Sequence, residues 1–204
     1  YREFIMKNED SVVKHWLKKG AFGWRLDVVD ELPDDFVKIL RKEIKKENKD
    51  AVIIGEVWED ASNKESYGVR REYLLGEVLD SVMNYPLRSA MIDIALGRID
   101  AEGFDERIMS IKENYPPPAY NSLMNFLSSH DVERILTVVG GAPDKNTVDK
   151  DFQADYRIED YKRAADKVKQ LVMFQMLMPG VPSVYYGDEI GMQGYADPFC
   201  RGVF

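Results

Sequence analysis

The sequence predicts an α/β protein built on a parallel sheet, and two observations carry that reading. Short apolar runs of strand length alternate with longer amphipathic runs of helical period, the pattern of βα units. Three of the apolar runs also end in a carboxylate: Asp27 after residues 22–26, Glu56 after residues 51–55, and Asp131 after residues 123–130. An acid at the end of a buried strand is costly, because desolvation disfavours its charge. Three of them in one alternating chain predict an acid-lined pocket on one face of the sheet.

Asp10 and Ser11 suit the cap of a helix running to about Lys19 and ended by Gly20. Residues 21–28 read as a strand. Pro33 opens an amphipathic helix to residue 47, with Asp34 and Asp35 in its first turn suiting the macrodipole. Residues 51–56 are the second strand. A polar loop follows through Tyr67, then a short helix over 69–75 and a strand over 77–82. Pro86 starts a helix to about residue 96, and a second runs over 104–114, stopped by Pro116, Pro117 and Pro118. Residues 122–127 form a strand and 132–138 a short helix. Residues 140–155, rich in Gly, Pro and Asp, read as an exposed loop. A long helix over 161–178 ends at Pro179 and Gly180, and 181–186 is the fifth and last strand. No internal repeat, low-complexity tract or composition shift marks a domain boundary.

At 204 residues the chain can bury a sizeable core. Its formal charge of −8 argues against nucleic acid as a partner, which needs clustered Lys and Arg. The basic run at 38–46 is interleaved with Ile39, Leu40 and Ile44 and reads as the wet face of a helix. No apolar stretch is long enough to cross a membrane. Cys200 is the single cysteine, so no internal disulfide forms, and no activating partner stands beside it. The absence of disulfides leans towards the cytoplasm, although the location is otherwise unassigned. The first residue is Tyr1 and the last Phe204, and both ends read as cuts.

Each strand-end acid has its own neighbours. Side chains alternate across a strand, so Arg25 and Asp27 share a face. A guanidinium beside a carboxylate favours its charged form, which suits a nucleophile; the competing reading is a structural ion pair. Glu56 has no basic residue within four positions. Val52 and Ile54 share its face and Trp58 follows, company that suits a general acid holding its proton. A cap for the next element is the alternative. Asp131 follows His130, with Arg134 three residues on. It could cap the helix that follows, and a catalytic role coexists with that cap only if another residue, such as Ser129, does the capping. One ionised acid, one protonated acid and a third carboxylate fit retaining glycoside hydrolysis. A lesser alternative is a divalent-metal enzyme using the three acids, against which the fixed cation of Arg25 argues.

These residues resemble a known family. The segment 23–31 (GWRLDVVDE) resembles the strand-4 motif of glycoside hydrolase family 13, the α-amylase family. Residues 55–58 (GEVW) resemble its strand-5 motif, 126–131 (FLSSHD) its strand-7 motif, and 182–191 (PSVYYGDEIG) the segment at strand 8. Residues 83–88 and 197–202 are similar to stretches of the neopullulanase and cyclomaltodextrinase branch. The resemblance implies a partial (β/α)8 TIM barrel, with residues 1–204 as a fragment of a single catalytic domain carrying strands 4 to 8. The family's strand-3 motif, the domain after it and the C-terminal β-domain have no counterpart in the sequence.

The resemblance further implies that Asp27 is the nucleophile and Glu56 the general acid and base. Asp131 binds sugar hydroxyls beside the anomeric centre and stabilises the distorted ring. Arg25 holds Asp27, His130 hydrogen-bonds sugar hydroxyls, and Trp58 is a sugar platform or a packing residue. Tyr185 and Tyr186 pack the barrel end. The implied substrate is an α-1,4- or α-1,6-linked glucan: a malto-oligosaccharide, a cyclodextrin or a related glucan. No cofactor is required and calcium is left open. No membrane partner is implied. Open strand edges predict self-association. The alternatives are a folded, non-catalytic fragment and a homologue that only binds.

Overall fold

The computed structural model describes residues 1–204, which group into two compact units. The first comprises residues 1–84 and 110–124, the second residues 85–109 and 125–204.

In the first unit a π-helical turn (Glu3–Lys7) and α1 (Val12–Lys18) precede β1 (Gly23–Leu26). β1 pairs in parallel with β2 (Val52–Gly55), Gly23 opposite Val52 and Leu26 opposite Gly55. Parallel strands need a crossover. Here α2 (Asp34–Glu47) supplies it, beginning after Pro33, whose φ is fixed at −63°. Val37, Leu40 and Ile44 form the helix's buried stripe and pack with Val29, Ile53, Leu79 and Val82 in the unit's core. Gly55 is needed where it stands: a Cβ would lie 2.5 Å from Leu79 Cδ1 and 3.1 Å from Val29 Cγ1. Asp80 ties this crossover down. It pairs with Arg41 at 2.7 Å and Lys45 at 3.0 Å on α2 and accepts the Ile53 N–H of β2 at 2.9 Å.

Two sequence expectations fail in this unit. Residues 69–75 do not form a helix. β3 (Glu65–Ser66) and β4 (Val69–Arg70) form a small antiparallel hairpin instead. Tyr67 and Gly68 turn it with positive φ values of 54° and 72°, a two-residue turn that the strand twist favours and that overrides local helix preference. The strand expected over 77–82 shrinks to β5 (Ser81–Val82), which pairs in parallel with β2. Met83 continues it as a parallel bridge to Met124. The hairpin raises the strand number from the expected five to seven.

α3 (Tyr85–Ala95) is followed by α4 (Ala101–Asn114). The prolines after α4 do more than stop it: Pro116 caps, and Pro117 opens, the short helix α5 (Pro117–Asn121).

In the second unit β6 (Met124–Phe126), whose first residue closes the first unit, pairs with β7 (Val181–Ser183). The buried Gln175 of α8 (Tyr161–Leu177) donates to Asn125 O at 3.0 Å and Ser183 O at 2.8 Å. One amide thus joins the long helix to both strands. Leu87, Met91, Leu127, Ile135 and Leu171 are part of the core around it. α6 (Ile135–Val139) begins three residues later than expected, because Ser128 Oγ accepts the Ile135 N–H at 2.8 Å. The expected loop over 140–155 contains α7 (Lys150–Asp155), capped by Asp149, which accepts the Phe152 N–H. The last strand ends at Ser183, short of Tyr186. Beyond it Arg134, fully buried, stacks on the rings of Tyr185 and Tyr186 at 4.7 and 4.9 Å and pairs with Asp188 at 3.1 Å. The two tyrosines pack on this cation. Cys200 is buried, burial pushes its thiol up, and Sγ donates to His130 O at 3.2 Å. No helix is long and apolar enough to cross a membrane.

Candidate active site

The register of β1 against β2 aligns Leu26 with Gly55, so Asp27 and Glu56 follow at the same edge of the sheet. One side chain touches both. Arg25 Nη1 lies 2.5 Å from Asp27 Oδ1, and its Nη2 lies 3.1 Å from Glu56 Oε2. Its Nε also points to Met83 Sδ at 3.5 Å. The two acids differ in exposure: the Asp27 side chain is 74% exposed and that of Glu56 3%.

Glu56 is corrected in one respect. The sequence places it in apolar company, with no basic residue nearby along the chain. The structure brings Arg25 from the neighbouring strand onto Oε2, where the Val28 N–H also donates at 2.8 Å. The Trp58 indole N–H donates to Oε1 at 3.1 Å. The apolar neighbours named from the sequence, Val52 and Ile54, are only partly buried, and the carboxyl itself is held by donors on both oxygens. Trp58 is half exposed.

Val28 is the feature that sequence reasoning missed here. Its φ of 39° and ψ of 57° place a β-branched residue in the left-handed region, which such residues rarely enter. No sequence signal marks it, because the residue that normally announces this conformation is glycine.

The second unit holds the third acid. Asp131 N–H donates to Ser129 Oγ at 3.2 Å, and Ser128 Oγ serves the start of α6. Ser128 thus takes the first N–H of α6 and Ser129 that of Asp131 itself, so neither contact draws on the Asp131 carboxylate. Its Oδ2 lies 3.2 Å from His130 Nε2, and its Oδ1 lies 3.8 Å from Arg201 Nη2. Arg201 also donates from Nε to His130 O at 3.1 Å and pairs with Asp197 at 2.7 Å. Arg201 is thus a second residue that local pattern could not find, 70 positions from the acid it faces. The structure therefore gathers Arg25, Asp27, Glu56 and Trp58 in the first unit, and His130 and Asp131 in the second.

Comparison with known proteins matches residues 2–200 to the alpha-amylase family's model, "Alpha amylase, catalytic domain". Neopullulanase 2 of Thermoactinomyces vulgaris is 40% identical over 191 residues, covering 93% of this chain and 27% of the relative. An amylopullulanase of Thermoanaerobacter thermohydrosulfuricus is 39% identical over 221 residues, covering all of this chain and 14% of the relative. The chain thus spans about a quarter or less of the length of these curated relatives. Among solved structures, the cyclic alpha-maltosyl-(1→6)-maltose hydrolase of Arthrobacter globiformis in complex with maltose superposes with a TM-score of 0.76. That match has 29% identity over 95% of this chain and 37% of the other. The debranching enzyme of Nostoc punctiforme gives 0.74 with 30% identity, over 97% and 37%. The relatives are named glycoside hydrolases, and the fold is α/β, matching part of a TIM-barrel domain. On these matches the chain belongs to the alpha-amylase family, and residues 2–200 correspond to its catalytic domain.

Proposed function

We propose that the protein is a retaining glycoside hydrolase acting on α-1,4 or α-1,6 links of malto-oligosaccharides, cyclodextrins or pullulan-like glucans. The relatives' names support the substrate class: neopullulanase, cyclomaltodextrinase and cyclic maltosyl-maltose hydrolase. The observation that carries the chemistry is the single guanidinium of Arg25 joining Asp27 and Glu56 at the ends of adjacent parallel strands.

In this reading Asp27, the exposed acid, attacks the anomeric carbon. Glu56, the buried acid, gives its proton to the departing glycosidic oxygen. A glycosyl ester on Asp27 results, with the leaving chain released as an alcohol. Glu56, now a carboxylate, takes a proton from water as the water's oxygen attacks the same carbon, which frees Asp27 and restores the acid. Two inversions leave the α configuration unchanged. His130 and Asp131 hold sugar hydroxyls, and Trp58, half exposed, contacts a sugar ring. A cation fixed against both acids of the first unit disfavours a divalent ion there.

The test is kinetic. In the full-length protein, Asp27→Asn and Glu56→Gln are each expected to lower kcat on maltotriose by about a thousandfold or more. Rates on maltotriose unchanged by either substitution would remove that residue from its role.

Apolar side chains left open give a second proposal, self-association. Trp16 and Phe22 are exposed before β1 in the first unit, and Val181 and Val184 are exposed at and after β7 in the second. Exposed strand edges with apolar neighbours recruit other strands. Light scattering of the 204-residue chain is expected to show mass rising with concentration; a monomer at all concentrations would refute it.

A further inference from the structure

A cavity of about 580 Å³ opens in the second unit, between α3, α6 and the segment over 140–145. That volume lies within the range of small-molecule sites, about 300–1,000 Å³. Its lining includes neither His130 nor Asp131, so the mechanism above does not use it. Arg88 stands in its wall and is only 9% exposed. Its Nε donates to Leu127 O at 2.7 Å and its Nη2 to Glu133 O at 3.2 Å. A guanidinium carries five donors and no acceptor, so these two bonds leave Nη1 unserved. A nearly buried donor without a partner costs free energy, and the space beside this one is open.

The charges of the wall decide what can fill it. Asp93 pairs with Arg98 at 3.2 Å and Glu133 with Lys145 at 3.5 Å, while Asp144 balances Arg88 in the count. An anion beside Arg88 would share the cavity with three carboxylates, and an apolar ligand would leave all these groups without hydrogen bonds. A neutral polyhydroxy compound suits both kinds of group, because each hydroxyl donates to a carboxylate and accepts from a guanidinium. Ile92 and Leu96 add an apolar wall for the C–H face of a pyranose ring. Resting on the proposed glycosidase reading for the identity of the sugar, we propose that this cavity is a second, non-catalytic site for a short malto-oligosaccharide, held by Arg88. The same guanidinium joins the two ends of segment 127–133, which carries His130 and Asp131. A sugar bound here therefore braces the clamp on the segment that holds the substrate's hydroxyls.

The test is hydrogen–deuterium exchange of the full-length protein titrated with maltose, read by mass spectrometry on peptides covering 92–98 and 138–145. At maltose about ten times its dissociation constant, exchange through openings that release the sugar is expected to slow about tenfold. Sodium sulfate probes for an anion site and is expected to protect neither peptide. Ala142→Trp puts a large ring into the cavity, and Arg98→Ala removes a donor from its wall. Neither residue belongs to the catalytic machinery. Both variants are expected to lose protection and to hydrolyse maltotriose at the wild-type rate. No protection in the wild type, protection by sulfate in place of maltose, or protection that survives both substitutions would overturn the site. Wild-type protein that shows the protection but hydrolyses no maltotriose would uphold the site and overturn the glycosidase reading.

Discussion

Replacing Arg25 by lysine keeps the positive charge and removes the fork. A lysine ammonium is a point charge on a flexible stem and cannot hold two carboxylates in the fixed geometry of a guanidinium. The structure sets the size of the effect. The contact to Asp27 at 2.5 Å joins a side chain that is 74% exposed, so screening discounts it to about 0.2–1 kcal/mol. The contact to Glu56 at 3.1 Å is an ion pair with a side chain that is 3% exposed, and a close charge pair shielded from water couples by about 1.5 kcal/mol or more. Arg25→Lys is therefore expected to lower kcat/KM on maltotriose roughly ten- to hundredfold, most of it through the placement of Glu56. The assay is steady-state hydrolysis by the full-length protein, with thermal melting followed by circular dichroism as a check on folding. A folded Arg25→Lys variant within about twofold of wild type would refute the claim that one guanidinium organises both acids.

Two further predictions concern the scaffold. Gly55→Ala would drive a Cβ to 2.5 Å from Leu79 Cδ1, overpacking worth about 1–3 kcal/mol, and should lower the melting temperature by several degrees; an unchanged melting point would refute it. Asp80 is partly buried, which by itself would raise its carboxyl, but hydrogen bonds from Lys45, Arg41 and the Ile53 N–H outweigh burial and hold it below the ordinary carboxylate value. A depressed folded value means that the stabilisation is present above the unfolded value, about 3.9, and is lost as pH falls through the folded one. Asp80→Asn should therefore destabilise the protein in urea at pH 7 and differ progressively less from wild type as the solution is acidified below about pH 4. A difference independent of pH would contradict that assignment.

Much of the scaffold was legible because it rests on local chemistry. Pro33, the two aspartates after it and the stripe of Val37, Leu40 and Ile44 announce α2 within one residue of where it begins. The hairpin at 65–70 was not legible, because Tyr67 takes a left-handed conformation that its side chain does not advertise. At the site, the Arg25–Asp27 pair follows from strand alternation alone. The Arg25–Glu56 contact does not, since it depends on the register of two strands and 30 residues of sequence lie between them. The cap expected of Ser129 is not found: its Oγ accepts the Asp131 N–H, while the first N–H of α6, that of Ile135, goes to Ser128 Oγ. Arg201 and Val28 were out of reach for different reasons: one acts across 70 positions, and the other acts through its backbone.

The central claim is that Asp27 forms a glycosyl ester. Incubating the full-length protein with a 5-fluoro-α-glucosyl fluoride, which forms the ester but slows its hydrolysis, and digesting it for mass spectrometry would test this directly. The account predicts a single added glycosyl group on the peptide containing Asp27, absent in Asp27→Asn. A label on Asp131 or Glu56, or turnover of the fluoride with no ester on any residue, would contradict it.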